Sequence, residues 1–122
     1  MKKFLFVPTF LFILASQVYA VSTLDFVNQK VCDRFEEDTV RLAAIMEEVK
    51  ERKGIKETRV AYGGIDTPIK SADYWVTFAA EAVAFQRIQK FSSKGELKYS
   101  LAVLKNKVLR AKTEVGKVLN ED

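Results

Sequence analysis

Two carboxylates of this chain, Asp38 and Glu81, occupy positions where a helix would turn them inward. Each falls in a series of apolar residues spaced three and four apart, near the middle of a predicted helix. If the two helices align, the carboxylates face one another and could hold a hard cation or share a proton. The structural alternative for Asp38 is a polar position that fixes register or lies at the edge of the seam. For Glu81 it is a salt bridge or a water-exposed edge position.

A second candidate site combines a predicted loop, residues 54–70, with the start of the helix that follows it. Tyr62 and Asp66 lie in the loop, and Tyr74 and Trp75 follow it closely. A loop of this length with apolar residues of its own either packs as a lid over the helices or binds a ligand or partner. Aromatic side chains on a rigid scaffold supply contact area at low entropic cost. The leading hypothesis is therefore a non-enzymatic binding or scaffolding protein that uses these four residues.

Lysines at seven-residue spacing suggest a third role. Lys98, Lys105 and Lys112 flank the apolar series of the last predicted helix. They could pair with acids of the first helix, or attach the protein to an anionic envelope surface such as a wall polymer or phospholipid head groups. A nucleic-acid partner is not expected, because the basic residues are not interleaved with aromatic residues.

The histidine and cysteine counts exclude several classes of site. The chain has no histidine, which removes His-based triads, the common zinc sites and c-type haem attachment. No cofactor and no catalytic activity are expected. The single cysteine, Cys32, cannot form an internal disulfide. It is either a small buried apolar group or a link to another chain.

The first 20 residues have the pattern of a secretory signal peptide. Lys2 and Lys3 precede an apolar run, and a small-residue cleavage site ends at Ala20. The protein is therefore predicted to be secreted or periplasmic, with a single domain over 21–122 and no membrane-spanning segment after cleavage. The two lysines account for two of the four net positive charges of the whole chain, so the mature protein is less basic than the full sequence.

The spacing of apolar residues predicts an all-α fold, a three-helix bundle with helices at about 24–53, 72–91 and 94–119. Gly54 is placed to end the first helix. Ser71 is predicted to cap the second helix, and Ser93 with Glu96 forms a capping box for the third. The third helix carries a coiled-coil-like series with alternating steps of four and three: Leu97, Leu101, Leu104, Val108, Ala111, Val115 and Val118.

The middle helix is predicted to be wedged between the other two, because it is apolar on two sides. One side carries Tyr74, Phe78, Phe85 and Ile88, and the other carries Trp75, Val76, Ala79 and Val83. The second side turns polar from Gln86 onward, so this end is expected to emerge into water. The longer neighbours would leave part of their apolar stripe uncovered, which predicts self-association.

Overall fold

The computed structural model describes residues 2–54 and 67–121, and their side chains from residue 23 to residue 120. Within those ranges every regular element is an α-helix. Tyr62 and Asp66, the two predicted loop residues, lie outside the described part of the chain.

Three helices account for nearly all of the described residues. Helix α1 spans Lys2–Arg52, α2 spans Pro68–Ile88 and α3 spans Lys94–Glu121. Each helix contacts the other two. The predicted all-α three-helix bundle is therefore confirmed. Helix α1 runs back to Lys2, and cleavage of residues 1–20 stays a prediction.

Hydrogen bonds between helices fix their directions. Two bonded pairs near opposite ends of the bundle join α1 to α2, and two more join α2 to α3. The pairs are Asn28–Gln86, Lys50–Asp73, Gln86–Ser100 and Ser71–Glu114. At one end of each helix pair, a residue late in the first helix meets a residue early in the second. At the other end the order is reversed, so neighbouring helices are antiparallel. The topology is up-down-up, with α1 and α3 running in the same direction.

Small and medium-sized apolar residues fill the space between the helices. The buried cluster consists of Cys32, Leu42, Met46, Val49, Ala72, Val76, Ala79, Val83, Leu104, Val108, Ala111, Val115 and Val118. Every member of the predicted α3 series is buried except Leu101, which is half-buried. The heptad spacing therefore identified the inner face of α3 correctly, because residues three and four apart share one side of a helix.

The last residues of α1 form as the sequence predicts, and the start of α3 does so in part. Gly54 adopts φ 72°, the left-handed conformation that favours glycine at a helix end. Ser93 Oγ accepts a hydrogen bond from the backbone N–H of Glu96 at 3.2 Å. The side chain of Glu96 accepts from Ser92 Oγ rather than completing the predicted box with Ser93.

Helix α2 begins four residues earlier than predicted. Thr67 is the N-cap, and its Oγ1 accepts from the backbone N–H of Lys70 at 3.2 Å. Pro68 follows as the first helical residue, where its missing N–H costs no hydrogen bond. Ser71 therefore lies inside the first turn, and the prediction that it caps the helix is wrong.

The side of α2 that carries Tyr74, Phe85 and Ile88 is largely exposed. The prediction that both apolar sides of this helix are buried is therefore wrong for this side. Phe85 is 61% exposed, Ile88 is 73% exposed and Tyr74 is 37% exposed. The second predicted side is buried as expected: Val76, Ala79 and Val83 pack in the centre of the bundle together with Ala72. Alanine permits close approach of neighbouring helices, so α1 and α3 pack on this side and the bulky side is left outside.

Gln86 is buried, although the sequence predicted that this end of α2 emerges into water. Its Nε2 donates to Asn28 Oδ1 at 3.0 Å, and Ser100 Oγ donates to its Oε1 at 2.8 Å. Asn28 Nδ2 in turn donates to the backbone carbonyl of Gln86 at 3.0 Å. All three helices therefore meet at one buried amide, whose polar atoms are satisfied by partners that only the folded bundle brings together.

Cys32 is fully buried and not disulfide-bonded. Burial raises the pKa of its thiol, while the nearby charge of Arg87 acts in the opposite direction. Of the two predicted alternatives, the structure therefore has the small buried apolar group.

In the described part of the chain, no helix is both long enough and apolar enough to cross a bilayer.

Candidate interaction site

A concave groove lies between α1 and α2. It encloses about 420 Å³ and is lined by Ala43, Glu47, Lys50, Asp73, Tyr74, Val76, Thr77, Phe78 and Glu81. All of its lining residues belong to α1 and α2, so the groove opens on the side of this helix pair that faces away from α3. Its volume lies in the range of ligand-binding clefts, and its floor is apolar while its rim is charged.

Lys50 is the cation of the α1–α2 groove, and it is already paired. Its Nζ lies 3.1 Å from Asp73 Oδ2 on α2 and 3.2 Å from Glu47 Oε1 on its own helix. The Lys50 and Asp73 side chains are only 15% and 17% exposed. Burial disfavours the charged amine, but the hydrogen bonds and charges of Asp73 and Glu47 outweigh it and raise the pKa of Lys50. Lys50 therefore stays charged and engaged at neutral pH.

Glu81 is an exposed carboxylate on the rim of the same groove, and no ion pair engages it within the described residues. Three carboxylates and one ammonium group line the groove, so it has a net negative charge. Of the alternatives predicted for Glu81, the structure has the water-exposed edge position, although its neighbours in the helical series are apolar. A carboxylate so placed attracts a cationic group of an incoming partner.

Three aromatic rings stand beside the groove at the start of α2. Tyr74 and Phe78 stack with their ring centres 6.0 Å apart, and Trp75 meets both edge-on at 5.3 and 5.7 Å. Arg110 of α3 lies over the Trp75 ring at 4.7 Å from its centroid. The predicted pair Tyr74 and Trp75 is thus in contact, but the two rings face different ways.

The division of these aromatic residues decides which of them can meet a partner. Trp75 is half-buried and packs against the core under Arg110. Tyr74 lines the α1–α2 groove and is more exposed. Beyond the groove, Phe85 and Ile88 continue the same side of α2. We name this surface the outer α2 face and define it by five residues: Tyr74, Phe78, Glu81, Phe85 and Ile88.

Asp38 and Glu81, the predicted carboxylate pair, do not face one another. Asp38 Oδ2 lies 3.1 Å from Lys112 Nζ, so it is turned toward α3. Glu81 lies on the groove that faces away from α3. No group of three or more acidic or cysteine side chains among the described residues is placed to hold a metal ion. Asp38 instead forms a salt bridge with Lys112 at the edge of the apolar series of α1.

The three predicted lysines of α3 are all exposed, but their surroundings differ. Lys112 pairs with Asp38 of α1, which is the predicted pairing with an acid of the first helix. Lys98 and Lys105 make no ion pair within the described part of the chain. Two of the three charges therefore remain available to an anionic partner.

Glu114 is a buried carboxylate that sequence reasoning did not single out. It accepts a hydrogen bond from Ser71 Oγ at 2.9 Å and pairs with Arg110 and Lys117 of its own helix. Burial raises the pKa of this carboxyl. The hydrogen bonds from Ser71 and Lys117 and the charges of Lys117 and Arg110 lower it by more, so the net effect is a decrease. This cluster ties the first turn of α2 to α3 and so fixes the position of Tyr74.

Glu47, Lys50 and Asp73 were also missed as site residues. Their signal in the sequence was weak, because each reads locally as a solvated charge near a helix end. The antiparallel arrangement of α1 and α2 would have brought the last turns of one beside the first turns of the other. The expected contact between these turns was the signal in the sequence that could have identified the three residues.

No family model, no curated protein and no solved structure matches this chain.

Proposed function

We propose that this chain is an exported binding module without catalytic activity, and that it binds a partner protein through the outer α2 face and the adjoining α1–α2 groove. The observation that carries the proposal is the exposure of large apolar side chains on one side of a helix. Phe85 is 61% exposed and Ile88 is 73% exposed. Grouped apolar exposure of this kind marks an interaction surface, whereas single exposed apolar residues do not.

Two further features support a protein partner. The outer α2 face has the four-and-three spacing of a helix-packing seam, from Tyr74 through Phe78, Glu81 and Phe85 to Ile88. The seam is held on a rigid helix whose two ends are fixed by the Gln86 and Glu114 hydrogen bonds. A surface that is ordered before binding loses little entropy when the partner arrives.

The export of the protein rests on residues 1–20, whose basic start, apolar run and cleavage site are typical of a signal peptide. The sequence has no histidine, the side chain that acts most often as a general acid or base in enzymes.

Site-specific photo-cross-linking in producing cells tests the proposal. A photoreactive phenylalanine analogue at Phe85 is expected to give a discrete protein adduct. Phe26 is the matched control, because it is also 61% exposed but lies on α1 and is not part of the outer α2 face. The substitution Glu81→Lys is expected to reduce the adduct from position 85. Equal adduct yields from the two positions, or yields unchanged by Glu81→Lys, would contradict the proposal.

A second candidate function is attachment to an anionic phospholipid surface through α3. The observation in its favour is that Lys98 and Lys105 are exposed and have no ion-pair partner in the described residues. Binding to vesicles containing anionic lipid should fall steeply as salt rises, because exposed charges are screened. Salt-independent binding, or equal binding by Lys98→Gln/Lys105→Gln, would exclude it.

A further inference from the structure

A second seam with the same spacing lies on α3, outside its buried series. Starting at Lys98, steps of four and three reach residues that are exposed or, at the end, half-buried: Lys98, Ala102, Lys105, Leu109, Lys112 and Gly116. We name this surface the lysine seam of α3. Its member Lys112 pairs with Asp38, so the seam lies toward α1. The outer α2 face borders α3 on one side, because Lys107 Nζ lies 5.4 Å from the centroid of the Phe78 ring and lines a small groove together with Phe85.

Four of the five residues of the outer α2 face meet a complementary residue of the lysine seam, and the fifth, Ile88, falls beside Lys112. Laid in the same direction with Glu81 beside Lys105, Phe78 faces Ala102 and Phe85 faces Leu109. The same alignment brings Tyr74 to Lys98, where an ammonium group over an aromatic ring is favourable. Helices whose apolar positions share this spacing pack side by side as in a coiled coil.

The charges oppose a symmetric alternative. If two outer α2 faces packed on each other in register, the two Glu81 carboxylates would come together without a cation. Like charges brought together at an interface are strongly unfavourable. The α1–α2 groove adds further negative charge, since Lys50 is already bound to Glu47 and Asp73. The outer α2 face therefore favours a surface that supplies lysine opposite Glu81.

We propose that the occupant of the outer α2 face is the lysine seam of a second copy of this chain. This inference rests on the proposed binding role of the outer α2 face and names its partner. The two surfaces are different patches on different sides of the bundle, so the contact is heterologous. Each copy in a pair keeps one patch unused, and association continues head to tail or closes into a ring.

Sedimentation velocity of the exported chain over a concentration series tests this directly. At low salt the weight-average sedimentation coefficient should rise with concentration, and it should fall back in about 1 M salt, where the screening length is about 3 Å. Glu81→Lys and Lys105→Glu should each weaken association on the order of 10-fold or more, because each places like charges together. Lys94→Glu is the control, since Lys94 is exposed on α3 but is not a member of the lysine seam.

A mixing experiment distinguishes the head-to-tail contact from its alternatives. Each charge-reversed variant alone should associate more weakly than the unsubstituted chain, while an equimolar mixture of Glu81→Lys and Lys105→Glu chains should associate strongly again, because every contact between unlike chains then joins opposite charges. Association of Glu81→Lys with the unsubstituted chain, combined with no effect of Lys105→Glu, would show a symmetric contact and overturn the proposal.

Failure of this inference can be told apart from failure of the proposed function. A chain that stays monomeric at every concentration while the adduct from position 85 persists has another protein as its partner, which overturns only the second-copy assignment. Loss of both the adduct and the self-association overturns both. Binding of Lys105 to anionic vesicles without any self-association likewise overturns the second-copy assignment.

Discussion

The inner and outer sides of α2 differ in a way that reverses the usual relation between size and burial. The inner side is buried and carries small residues, including Ala72, Ala79 and Val83. The outer side carries the large ones, including Phe85 and Ile88, and leaves them exposed. Burial on this helix therefore follows close approach of its neighbours and not hydropathy. The outer residues contribute little to folding, which leaves their apolar area available for binding.

The largest effect is expected from Gln86→Ala, at the buried amide on the inner side. The substitution removes the partners of Asn28 Oδ1 and Ser100 Oγ, and unsatisfied buried groups cost about 1–3 kcal/mol each. We expect a loss of about 2–4 kcal/mol in the free energy of unfolding, measured by urea denaturation and circular dichroism. Gln89→Ala, at the residue that follows the last residue of α2, should change the free energy of unfolding by less than about 0.5 kcal/mol. Equal losses would mean that the buried amide is not a stabilising feature.

A pair of aliphatic truncations tests the comparison itself. Val83→Ala on the inner side should cost about 1–3 kcal/mol, because it leaves a cavity in the core. Ile88→Ala on the outer side removes more atoms but should cost less than about 0.5 kcal/mol, because the side chain is mostly in water. The same denaturation measurement serves both. A larger cost for Ile88→Ala than for Val83→Ala would reverse our reading of the two sides.

The smallest effect is expected from Glu114→Gln, at the boundary where the first turn of α2 meets α3. At neutral pH the substitution should cost about 1–2 kcal/mol, since the charged hydrogen bonds from Lys117 and Arg110 are weakened. The pKa of Glu114 is lower in the folded state than its ordinary value of 4.5. Its stabilisation is therefore present above that value and is lost as pH falls through the folded-state pKa.

Unfolding of the Glu114→Gln variant should accordingly be compared with the unsubstituted chain at two pH values. The difference in the free energy of unfolding should be largest at pH 7 and should shrink as the pH is lowered below 4.5 toward the folded-state pKa of Glu114. Glu48→Gln is the control, because Glu48 forms an exposed pair with Arg52 and should give a small difference at either pH. A difference that does not change with pH would show that Glu114 acts through packing alone.

The sequence predicted the features of this fold that depend on local spacing and local chemistry. The buried series of α3 follows from alternating steps of four and three, and the end of α1 follows from Gly54. Both signals are carried by residues within one helix. The start of α2 was placed at Ser71, because the hydroxyl there resembles a cap, whereas Thr67 with Pro68 supplies the cap in the structure.

The features that the sequence did not predict depend on the alignment of separate helices. A helical wheel gives α2 two apolar sides and does not say which one its neighbours approach. Gln86 reads as a surface residue until Asn28 and Ser100 are brought to it. Glu81 was correctly recognised as unusual, but its predicted partner Asp38 pairs with Lys112 on another side of the bundle. The groove residues Glu47, Lys50 and Asp73 become a site only when α1 and α2 are antiparallel.

The enclosed thiol of Cys32 gives the chain an internal reporter of its own opening. The sulfur lies where α1 meets α2, with no surface exposed to a reagent and with a pKa raised by burial. Alkylation therefore has to wait until α1 separates from its neighbours, and its rate follows the frequency of that separation. In an oxidising compartment, closure of the bundle alone would keep this sulfur from joining two chains covalently.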